Sequence, residues 1–337
     1  MRVFRGLPTP ESRSPCVLTI GNFDGVHRGH RALLARAVAG AHAHGLPAAV
    51  MTFEPHPREY FAQLAGDITR APARIANLRD KLEGLRQCGV DRVIVEHFGS
   101  HFAALTAAQF VEEVLVGACH VKHVIVGDDF CFGAGRKGDF ATLLAAGREH
   151  GFTVESMPTV ADADGGRVSS SAVRDAIEHG DFARCAELLG HPYTISGKVI
   201  HGRKLGRTIG FPTLNVRISH RRPCTTGIFV VRVHGLDGGP HRGVASLGVR
   251  PTVEDNGRVL LEAHVFDWAG DAYGKLVRIE FLKKLRNEAK YDSLPALTAA
   301  IDNDAQQARA FFAAEAVAAA HAAPPAGSAS TGDDIGI

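Results

Sequence analysis

The first 186 residues alternate short apolar runs with stretches whose apolar positions recur every three or four residues. A short apolar run predicts a buried strand, and the spacing of three and four predicts an amphipathic helix. Their alternation favours an α/β domain with a mainly parallel sheet. The predicted strands are 17–20, 48–53, 92–96, 123–127 and 153–155, and the clearest helices between them are 73–85 and 107–115.

The pattern changes after a predicted helix at 182–189, which the run Gly-His-Pro at 190–192 terminates. Short apolar runs separated by glycine turns follow, and this spacing predicts a small antiparallel β-barrel. We therefore place the domain boundary between residues 186 and 187. The predicted strands of the barrel are 193–200, 213–218, 228–234, 243–247, 259–266 and 276–281.

The chain after the barrel predicts one more helix and a tail. Apolar positions from residue 293 to about 314 have helical spacing, so we expect a helix that closes the second domain. The second domain is thus 187–314. Residues 315–337 are rich in alanine and then in Pro, Gly, Ser and Asp, and we expect this tail to be disordered.

Composition and charge limit the possible partners. The 337 residues carry a net charge of +2, with 45% hydrophobic and 22% charged residues. This balance is ordinary for a globular enzyme and argues against a broad nucleic-acid-binding surface. The six cysteines include no Cys-x-x-Cys pair, and no apolar run reaches transmembrane or signal-peptide character. We therefore expect a cytoplasmic protein without nucleic-acid or membrane partners.

The first predicted strand runs into the stretch Gly-Asn-Phe-Asp-Gly-Val-His-Arg-Gly-His at 21–30, and a predicted helix follows. A loop between a strand and a helix N-terminus is a place where backbone N–H groups bind an anion. His27 and His30 add two side-chain donors, and Gly29 lets a flat ligand approach the backbone. A metal site is less favoured, because no third ligand stands at a familiar spacing. The stretch predicts a nucleotide site.

The same stretch resembles the His-x-Gly-His signature of nucleotidylyltransferases, and its longer form Gly-x-Phe-Asp-Gly-x-His-x-Gly-His resembles bacterial FAD synthetases. The resemblance implies a Rossmann-like nucleotidylyltransferase domain over residues 1–186. It further implies catalytic roles for His27 and His30, and ATP binding by Gly21, Phe23, Asp24 and Gly29.

Three serines and an arginine open a later predicted helix, in the run Arg-Val-Ser-Ser-Ser-Ala-Val-Arg at 167–174. One serine is explained as an N-cap, but hydroxyl groups, helix N–H groups and a guanidinium together suit a polyphosphate. The run resembles the Ile-Ser-Ser-Thr-x-x-Arg motif that accompanies the His signature, with Val168 in place of Ile. This resemblance implies ATP binding by Ser169, Ser170 and Ser171 and a catalytic role for Arg174.

A glycine triplet at 133, 135 and 138 has the spacing of a dinucleotide-binding fingerprint, with Glu155 at the end of the next predicted strand. In a true fingerprint the glycines begin at the end of the strand, whereas residues 128–132 intervene here. Two acids and two aromatics suit a planar, hydrogen-bonding ring better. In the resembling family this loop is the flavin side, which implies flavin binding by Asp128, Asp129, Phe130 and Phe132. The alternative for the loop is a plain glycine-rich loop, and the triplet alone would suggest an NAD-dependent dehydrogenase.

A glycine-rich basic loop joins the first two predicted strands of the barrel. It lacks the P-loop spacing, yet such a loop can wrap phosphates through its N–H groups. Thr213 and Asn215 are two apart on a predicted strand, so both side chains point to one face. Two oxygen ligands on one face suit Mg²⁺ bound together with ATP. The alternative for the loop alone is a basic turn without a ligand.

The run Gly-Arg-x-x-Gly-Phe-Pro-Thr-x-Asn, ending at Asn215, resembles riboflavin kinases. Glu262 stands in a Glu-x-His context that is similar to the strand carrying the catalytic Glu of that family, although a strand carboxylate is more often merely solvated. Arg286 and Tyr291 lie in a segment similar to the loops that close over the flavin, which implies flavin binding. The implied ATP-binding residues of the kinase are Gly202, Lys204, Gly206, Gly210, Thr213 and Asn215, with Thr213 and Asn215 also holding the metal.

The two resemblances occur in one order along one chain, from about residue 15 to 312. The chain resembles the bacterial bifunctional riboflavin kinase/FAD synthetases. This implies that ATP phosphorylates riboflavin to FMN and that a second ATP adenylylates FMN to FAD and pyrophosphate, in a monomer or weak oligomer. Two alternatives stay open: a nucleotidylyltransferase with another acceptor, such as nicotinamide mononucleotide, or a flavin-binding protein without turnover.

Overall fold

The structure is a computed structural model that describes residues 1–202, 210–218, 222–249 and 259–322. Its N-terminal part contains a six-stranded parallel sheet with the order β1-β4-β3-β2-β5-β6. The strands are β1 (Arg2–Arg5), β2 (Cys16–Ile20), β3 (Ala48–Glu54), β4 (Arg92–His97), β5 (Val121–Gly127) and β6 (Thr153–Met157). All five predicted strands are confirmed. Sequence patterning missed β1, an edge strand that is mostly exposed and therefore lacks an apolar run.

Helices connect the strands of the sheet. They are α1 (Arg28–Ala43), α2 (Pro57–Leu64), α3 (Leu78–Gln87), α4 (Ser100–Ala104), α5 (Ala107–Gln109), α6 (Phe140–His150), α7 (Ser170–His179) and α8 (Phe182–Leu189). A π-helix, Phe110–Ala118, continues α5. The helix predicted from residue 73 begins only at Leu78, because the side chain of Asn77 accepts a hydrogen bond from the Asp80 N–H and caps it.

The parallel sheet has a topological switch point at β2. The chain proceeds from β2 to β3 and β4 on one side, and β5 and β6 lie on the other side. Ligands of such sheets bind beyond the carboxyl ends of the strands at this point. Thr19 of β2 is in register with Ile125 of β5, so the loops that follow these two strands start side by side. The fold thereby places the loop after β2, which contains His27, next to the loop after β5, which contains Asp128 and Phe130.

The C-terminal part is a closed barrel with the strand order β10-β11-β8-β7-β12-β9, and its neighbours are antiparallel. All six predicted strands are confirmed, although β8 begins one residue later than expected, at Leu214. The strands are β7 (Thr194–Ile200), β8 (Leu214–Arg217), β9 (Gly227–His234), β10 (His241–Val249), β11 (Val259–Val265) and β12 (Leu276–Arg286).

A long C-terminal helix, α9 (Leu294–Ala322), packs on the outside of the barrel. Ala308 and Phe312 of α9 are buried against Val230 and Val244 of the barrel strands. The expectation that the chain becomes disordered from residue 315 is wrong for residues 315–322, which continue α9. Alanine is the strongest helix former, so an alanine-rich segment prolongs a helix that packing has already nucleated. Residues 323–337 of the predicted tail lie outside the described residues.

The two parts of the molecule share one hydrophobic core. Phe182 and Cys185 of α8 belong to the same buried cluster as Tyr193, Phe229 and Phe281 of the barrel. The ring of Phe182 is nearly parallel to that of Tyr193, with the centroids 6.0 Å apart. A division between residues 186 and 187 would therefore cut through α8, whose buried face packs on the barrel. Within the described ranges, no helix has both the length and the apolar character needed to cross a membrane.

Candidate active sites

The loop after β2 has an unusual backbone. Phe23 and Val26 have positive φ angles of 47° and 42°, a conformation that non-glycine residues rarely adopt. Both side chains are buried in the core below the loop. At Gly25, with φ of 84°, an added Cβ would lie 2.7 Å from Cγ2 of Ile75. The loop is thus held from below, and the fully buried ring of Phe23 leaves only its main chain for a nucleotide.

The two histidines sit at the start of α1. His27 is the N-cap, and its Nδ1 accepts a hydrogen bond from the N–H of His30 at 3.3 Å. An accepting Nδ1 places the ring proton on Nε2, so His27 presents an Nε2–H donor. The two rings are stacked with centroids 3.6 Å apart, and Nδ1 of His30 is buried without a hydrogen-bond partner.

Both histidines are neutral at pH 7. Burial lowers the pKa of His27 to about 4 and the pKa of His30 well below its ordinary value. Neighbouring cations add to this lowering, including Arg174 for both rings. The pair can therefore donate hydrogen bonds to a phosphate without bringing its own positive charge.

Asp24 connects the two predicted motifs of this site. Its carboxylate is 1% exposed and accepts hydrogen bonds from Nη2 of Arg174 at 2.7 Å and from the N–H groups of Ile75 and Ala76 at 3.3 and 3.1 Å. Burial alone would raise the pKa of Asp24, but Arg174, Arg74 and the Ala76 N–H outweigh it and hold the pKa below its usual range. The carboxylate thus has three hydrogen-bond partners within the protein, and its predicted contact with ATP stays a prediction.

The guanidinium of Arg174 makes two hydrogen bonds within the protein. Besides Asp24, its Nε donates to the carbonyl oxygen of Ala73 at 2.7 Å. These two contacts use Nε and Nη2, and Nη1 has no hydrogen-bond partner among the described residues. Arg174 therefore ties the start of α7 to the loop after β2.

The serines at the start of α7 have three different environments. Ser169 is the N-cap and accepts a hydrogen bond from the N–H of Ala172 at 3.2 Å, as the capping interpretation predicted for one of them. The hydroxyl of Ser170 donates to the carbonyl of Asp24 at 3.3 Å, and Ser171 is exposed. The segment before α7 also lies close to Gly29, where an added Cβ would be 3.3 Å from the Val168 carbonyl. The starts of α1 and α7 therefore converge on the same loop.

The loop after β5 carries the residues predicted to bind flavin. The carboxylate of Asp128 accepts from the N–H of Thr159 at 3.0 Å, which together with the Thr159 hydroxyl lowers its pKa. Asp129 is exposed and pairs with Arg167 at 2.6 Å. The rings of Phe130 and Phe132 are stacked 5.6 Å apart, with Phe132 buried and Phe130 half-buried.

The glycine triplet forms a turn instead of a dinucleotide loop. Gly133 and Gly135 have positive φ angles of 73° and 67°, and Phe132 exchanges two backbone hydrogen bonds with Gly138. Glu155, the acid of the apparent fingerprint, is bonded by both nitrogens of an Arg36 fork at 2.6 and 2.7 Å. The triplet thus shapes a hairpin, in agreement with our rejection of the fingerprint.

Two buried residues next to the loop after β2, Lys81 and Thr52, belong to none of the sequence motifs. Lys81 of α3 and Thr52 of β3 are fully buried, and Nζ of Lys81 lies 3.3 Å from the Thr52 hydroxyl. That hydroxyl donates to the carbonyl of Asn22 in the loop after β2 at 3.1 Å. A signal was present in the sequence, because Lys81 occupies the apolar stripe formed by Leu78, Leu82 and Leu85. A lysine on such a stripe is a buried charge.

The kinase-like residues meet on three adjacent barrel strands. Asn215 of β8 pairs directly with Glu262 of β11, and Glu262 pairs with Ser246 of β10 on its other side. The side chain of Asn215 is 7% exposed, and its Oδ1 has no hydrogen-bond partner among the described residues. Thr213 lies just before β8 and is half-buried. Directly opposed residues on neighbouring strands point to the same face, so Asn215 and Glu262 share a surface.

Gly202 is required by a close approach to Asn215. An added Cβ would lie 2.3 to 2.5 Å from the terminal atoms of the Asn215 side chain. Gly210 has a φ of 86° and is exposed. The predicted ATP-binding residues Lys204 and Gly206 lie outside the described residues.

The predicted flavin-binding Arg286 has a partner in the protein. Its Nε and Nη2 donate to both carboxylate oxygens of the buried Asp304 in α9, at 2.8 and 2.6 Å. Its guanidinium carbon is 5.8 Å from the centroid of the Tyr291 ring. Arg286 therefore fixes α9 to the barrel and brings Tyr291 to the end of β12.

The described residues contain no group of three or more His, Cys, Asp or Glu side chains arranged to hold a metal. The unpartnered Oδ1 of Asn215 is the feature that fits a hard cation, because amide oxygens are ligands that Mg²⁺ accepts alongside water and phosphate oxygens.

Comparison with known proteins relates each half of the chain to one enzyme family. The sequence model of the FAD synthetase family matches residues 9–172, and that of the riboflavin kinase family matches residues 189–312. The bifunctional riboflavin kinase/FMN adenylyltransferase of Escherichia coli K12 is 48% identical over 93% of this chain and 98% of its own length. That of Pseudomonas fluorescens is 47% identical over 94% and 99%.

A crystal structure described as a macrolide-efflux protein from Streptococcus pneumoniae has a TM-score of 0.69 and 30% identity, over 90% of this chain and 96% of that one. It shares the two-part architecture across nearly the whole length. Taken with the two sites and the two family matches, the sequence relationships show that this chain belongs to the bifunctional riboflavin kinase/FMN adenylyltransferase family.

Proposed function

We propose that the two activities of this family reside in two separate sites of this chain. The barrel phosphorylates riboflavin with ATP to FMN, and the carboxyl end of the parallel sheet adenylylates FMN with a second ATP to FAD and pyrophosphate. The supporting observation is the segregation of the motifs: the histidines and Arg174 surround the loop after β2, whereas Asn215 and Glu262 lie opposite each other in the barrel.

In the barrel, Glu262 is the general base for the kinase reaction. It accepts the proton of the ribityl 5′-hydroxyl while that oxygen attacks the γ-phosphorus of ATP and ADP leaves. Phosphoryl transfer depends mainly on positioning and charge neutralisation, so the glycine-rich loop with Gly202, Lys204, Gly206 and Gly210 would hold the phosphates through its N–H groups and ammonium. Arg286 and Tyr291 would face the flavin.

Thr213 and Asn215 would hold the Mg²⁺ that accompanies ATP. The unpartnered Oδ1 of Asn215 supports this assignment. When bound, the ion would neutralise part of the phosphate charge during transfer.

In the N-terminal site, the phosphate of FMN attacks the α-phosphorus of ATP and pyrophosphate leaves. No general base is needed, since a phosphate is already a nucleophile at pH 7. The N–H donors of His27 and His30, the starts of α1 and α7, and Nη1 of Arg174 would stabilise the charge that develops on the oxygens. Gly21, Gly29 and the main chain of Phe23 would line the nucleotide, and Asp24 would orient Arg174.

The flavin ring of FMN would bind at the loop after β5. Phe130 is half-buried, and Asp128 and Asp129 are polar residues that precede it in the loop. The stacked Phe132 supports Phe130 from behind. We further propose a cytoplasmic monomer or weak oligomer, in keeping with six cysteines that are all unpaired.

The direct test is incubation of the protein with riboflavin and MgATP, followed by separation of the flavins. FMN should appear first and FAD second. An adenylyltransferase with another acceptor would give no FAD from FMN, and a flavin carrier would give neither product.

A further inference from the structure

Lys81 has an unusual environment for a lysine. Its side chain is fully buried, and its ammonium makes one hydrogen bond, to the Thr52 hydroxyl at 3.3 Å. Within the part of the chain that the structure describes, Lys81 has no carboxylate within 4.0 Å. A buried ammonium that is not paired destabilises a fold, so its presence calls for a function.

Two hydrogen bonds connect Lys81 to the loop after β2 through the side chain of Thr52. An ammonium can only donate, so the Thr52 oxygen accepts from Lys81, and the single hydroxyl proton of Thr52 goes to the Asn22 carbonyl at 3.1 Å. Asn22 precedes Phe23, the first residue of the loop with a positive φ. Lys81 therefore polarises and fixes the hydroxyl that holds the strained loop.

Charged and titratable groups from five segments interact with the ammonium. Asp24 of the loop, Glu54 at the end of β3 and Glu59 of α2 attract its charge, whereas Arg74 repels it. On α1, the charge of Lys81 is one cause of the low pKa of His30, after burial and His27. The ammonium thus lies near enough to the histidine pair for its potential to act there.

We propose that Lys81 is a positioning residue for adenylyl transfer, acting through Thr52 to hold the loop of residues 21–27 and adding positive potential beneath the bound triphosphate. This inference rests on the proposed adenylyltransferase site. It assigns to a core lysine of α3 a role that none of the loop motifs contains.

The protonation of Lys81 gives a signature that a purely structural lysine would lack. Burial, with a contribution from Arg74, lowers the pKa of Lys81 to about 8. The pKa values of its neighbours Asp24, Glu59, His30 and His56 are all lowered from their ordinary values, which are already below about 7. Adenylylation should therefore decline as the pH rises through about 8. The free energy of unfolding should increase over the same pH range. Between about pH 8 and about pH 10.4 the unfolded lysine keeps its proton while the folded one has lost it, so the unfolded state binds more protons.

The experiment measures FAD formation from FMN and riboflavin phosphorylation in the same samples of full-length protein between pH 6.5 and 9.5. Lys81→Met keeps an unbranched side chain that is one heavy atom shorter, and it removes the charge and the hydrogen-bond donor. We expect the kcat/KM of adenylylation to fall by roughly 10- to 100-fold, the effect of a misplaced reacting group. The kinase rate should be unchanged, and the melting temperature should equal or exceed that of the wild type. Thr52→Val should cause a loss of the same kind, and the double variant should lose little more than Lys81→Met alone.

Lys122→Met is the matched control, because Lys122 is exposed on the same sheet. The inference is overturned if Lys81→Met keeps its adenylyltransferase rate within about twofold, or loses both activities together with its stability. If Lys81→Met does not fold, the wild-type profile decides: an adenylylation rate that stays constant relative to the kinase rate across pH 8 contradicts it. A wild type that forms no FAD from FMN would instead refute the proposed function itself.

Discussion

At the residue scale, the ion pair of Asp24 and Arg174 links two segments of the proposed adenylyltransferase site. They lie 150 positions apart, and their ion pair of 2.7 Å joins the loop after β2 to the start of α7. The side chain of Arg174 is 18% exposed and that of Asp24 1%. Breaking a buried pair leaves one charge uncompensated, which costs about 3–5 kcal/mol.

Asp24→Asn should lower the free energy of unfolding by about 3 kcal/mol at pH 7 and strongly reduce FAD formation. The pH dependence follows from the lowered pKa of Asp24 in the folded protein. The contribution is complete above the unfolded pKa of about 3.9 and is lost as the pH falls through the folded value. Urea titrations of wild type and variant should therefore give a difference that narrows below about pH 4.

Asp164→Asn is the control for this prediction, since Asp164 is 86% exposed and only 4.0 Å from Arg184. Removing the charge of Asp164 should change the free energy of unfolding by at most about 1 kcal/mol. A stability difference for Asp24→Asn that is the same at pH 5 and pH 3 would show that the pair does not stabilise the fold.

Single residues differed in how well their sequence context predicted them. Ser169 was predictable as a cap, because capping depends on a few neighbouring residues. The partners of Asp24 and Arg286 were not, because both bonds connect residues that only the tertiary fold brings together. Lys81 could have been found from the apolar stripe of α3, but its contact with Thr52 could not.

At the scale of elements, α8 has a role that its place in the sequence does not suggest. Its Phe182 lies within 6.0 Å of the ring centroids of Tyr193, Phe229 and Phe281. The helix follows the nucleotide-binding half in the chain but completes the core below the barrel. Periodicity predicted its existence correctly, whereas its packing partner depended on the other half of the molecule.

Phe182→Ala should therefore destabilise the barrel by about 3–5 kcal/mol, the usual effect of removing a buried phenylalanine ring. We expect the riboflavin kinase activity to be lost at a lower temperature than in the wild type. Phe61→Ala is the comparison, because Phe61 is 51% exposed, and it should change thermal stability little. Equal stability of the two variants would contradict the packing assigned to α8.

The end of β7 and the strand β8 form a second element-level contact, between Gly202 and Asn215. Gly202→Ala should displace the Asn215 side chain and reduce the kinase rate while FMN is still converted to FAD. If the effect passes through Asn215, the double variant Gly202→Ala/Asn215→Ala should be no slower than Asn215→Ala alone. Additive losses of kinase rate would mean that Gly202 acts independently.

At the scale of the whole molecule, apolar patterning predicted both halves and their order because each half has its own period: strands alternating with helices, then short strands between glycine turns. The strand order around the barrel and the core shared by α7, α8 and the barrel were not predicted, since they depend on contacts between distant segments. The helix α9 extends beyond its predicted end at about residue 314, because an alanine-rich segment lacks the glycine or proline that would terminate a helix.

If one chain holds two chemically independent sites, as we propose, a single substitution in one site should leave the activity of the other intact. His30→Ala and Asn215→Ala are each assayed for FMN formation from riboflavin and for FAD formation from supplied FMN, with MgATP in both assays. His30→Ala should lose FAD formation by about 100- to 1,000-fold, as expected for one transition-state donor, and keep the kinase rate. Asn215→Ala should lose the kinase rate and keep FAD formation. Loss of both activities in equal measure in either folded variant would contradict the account.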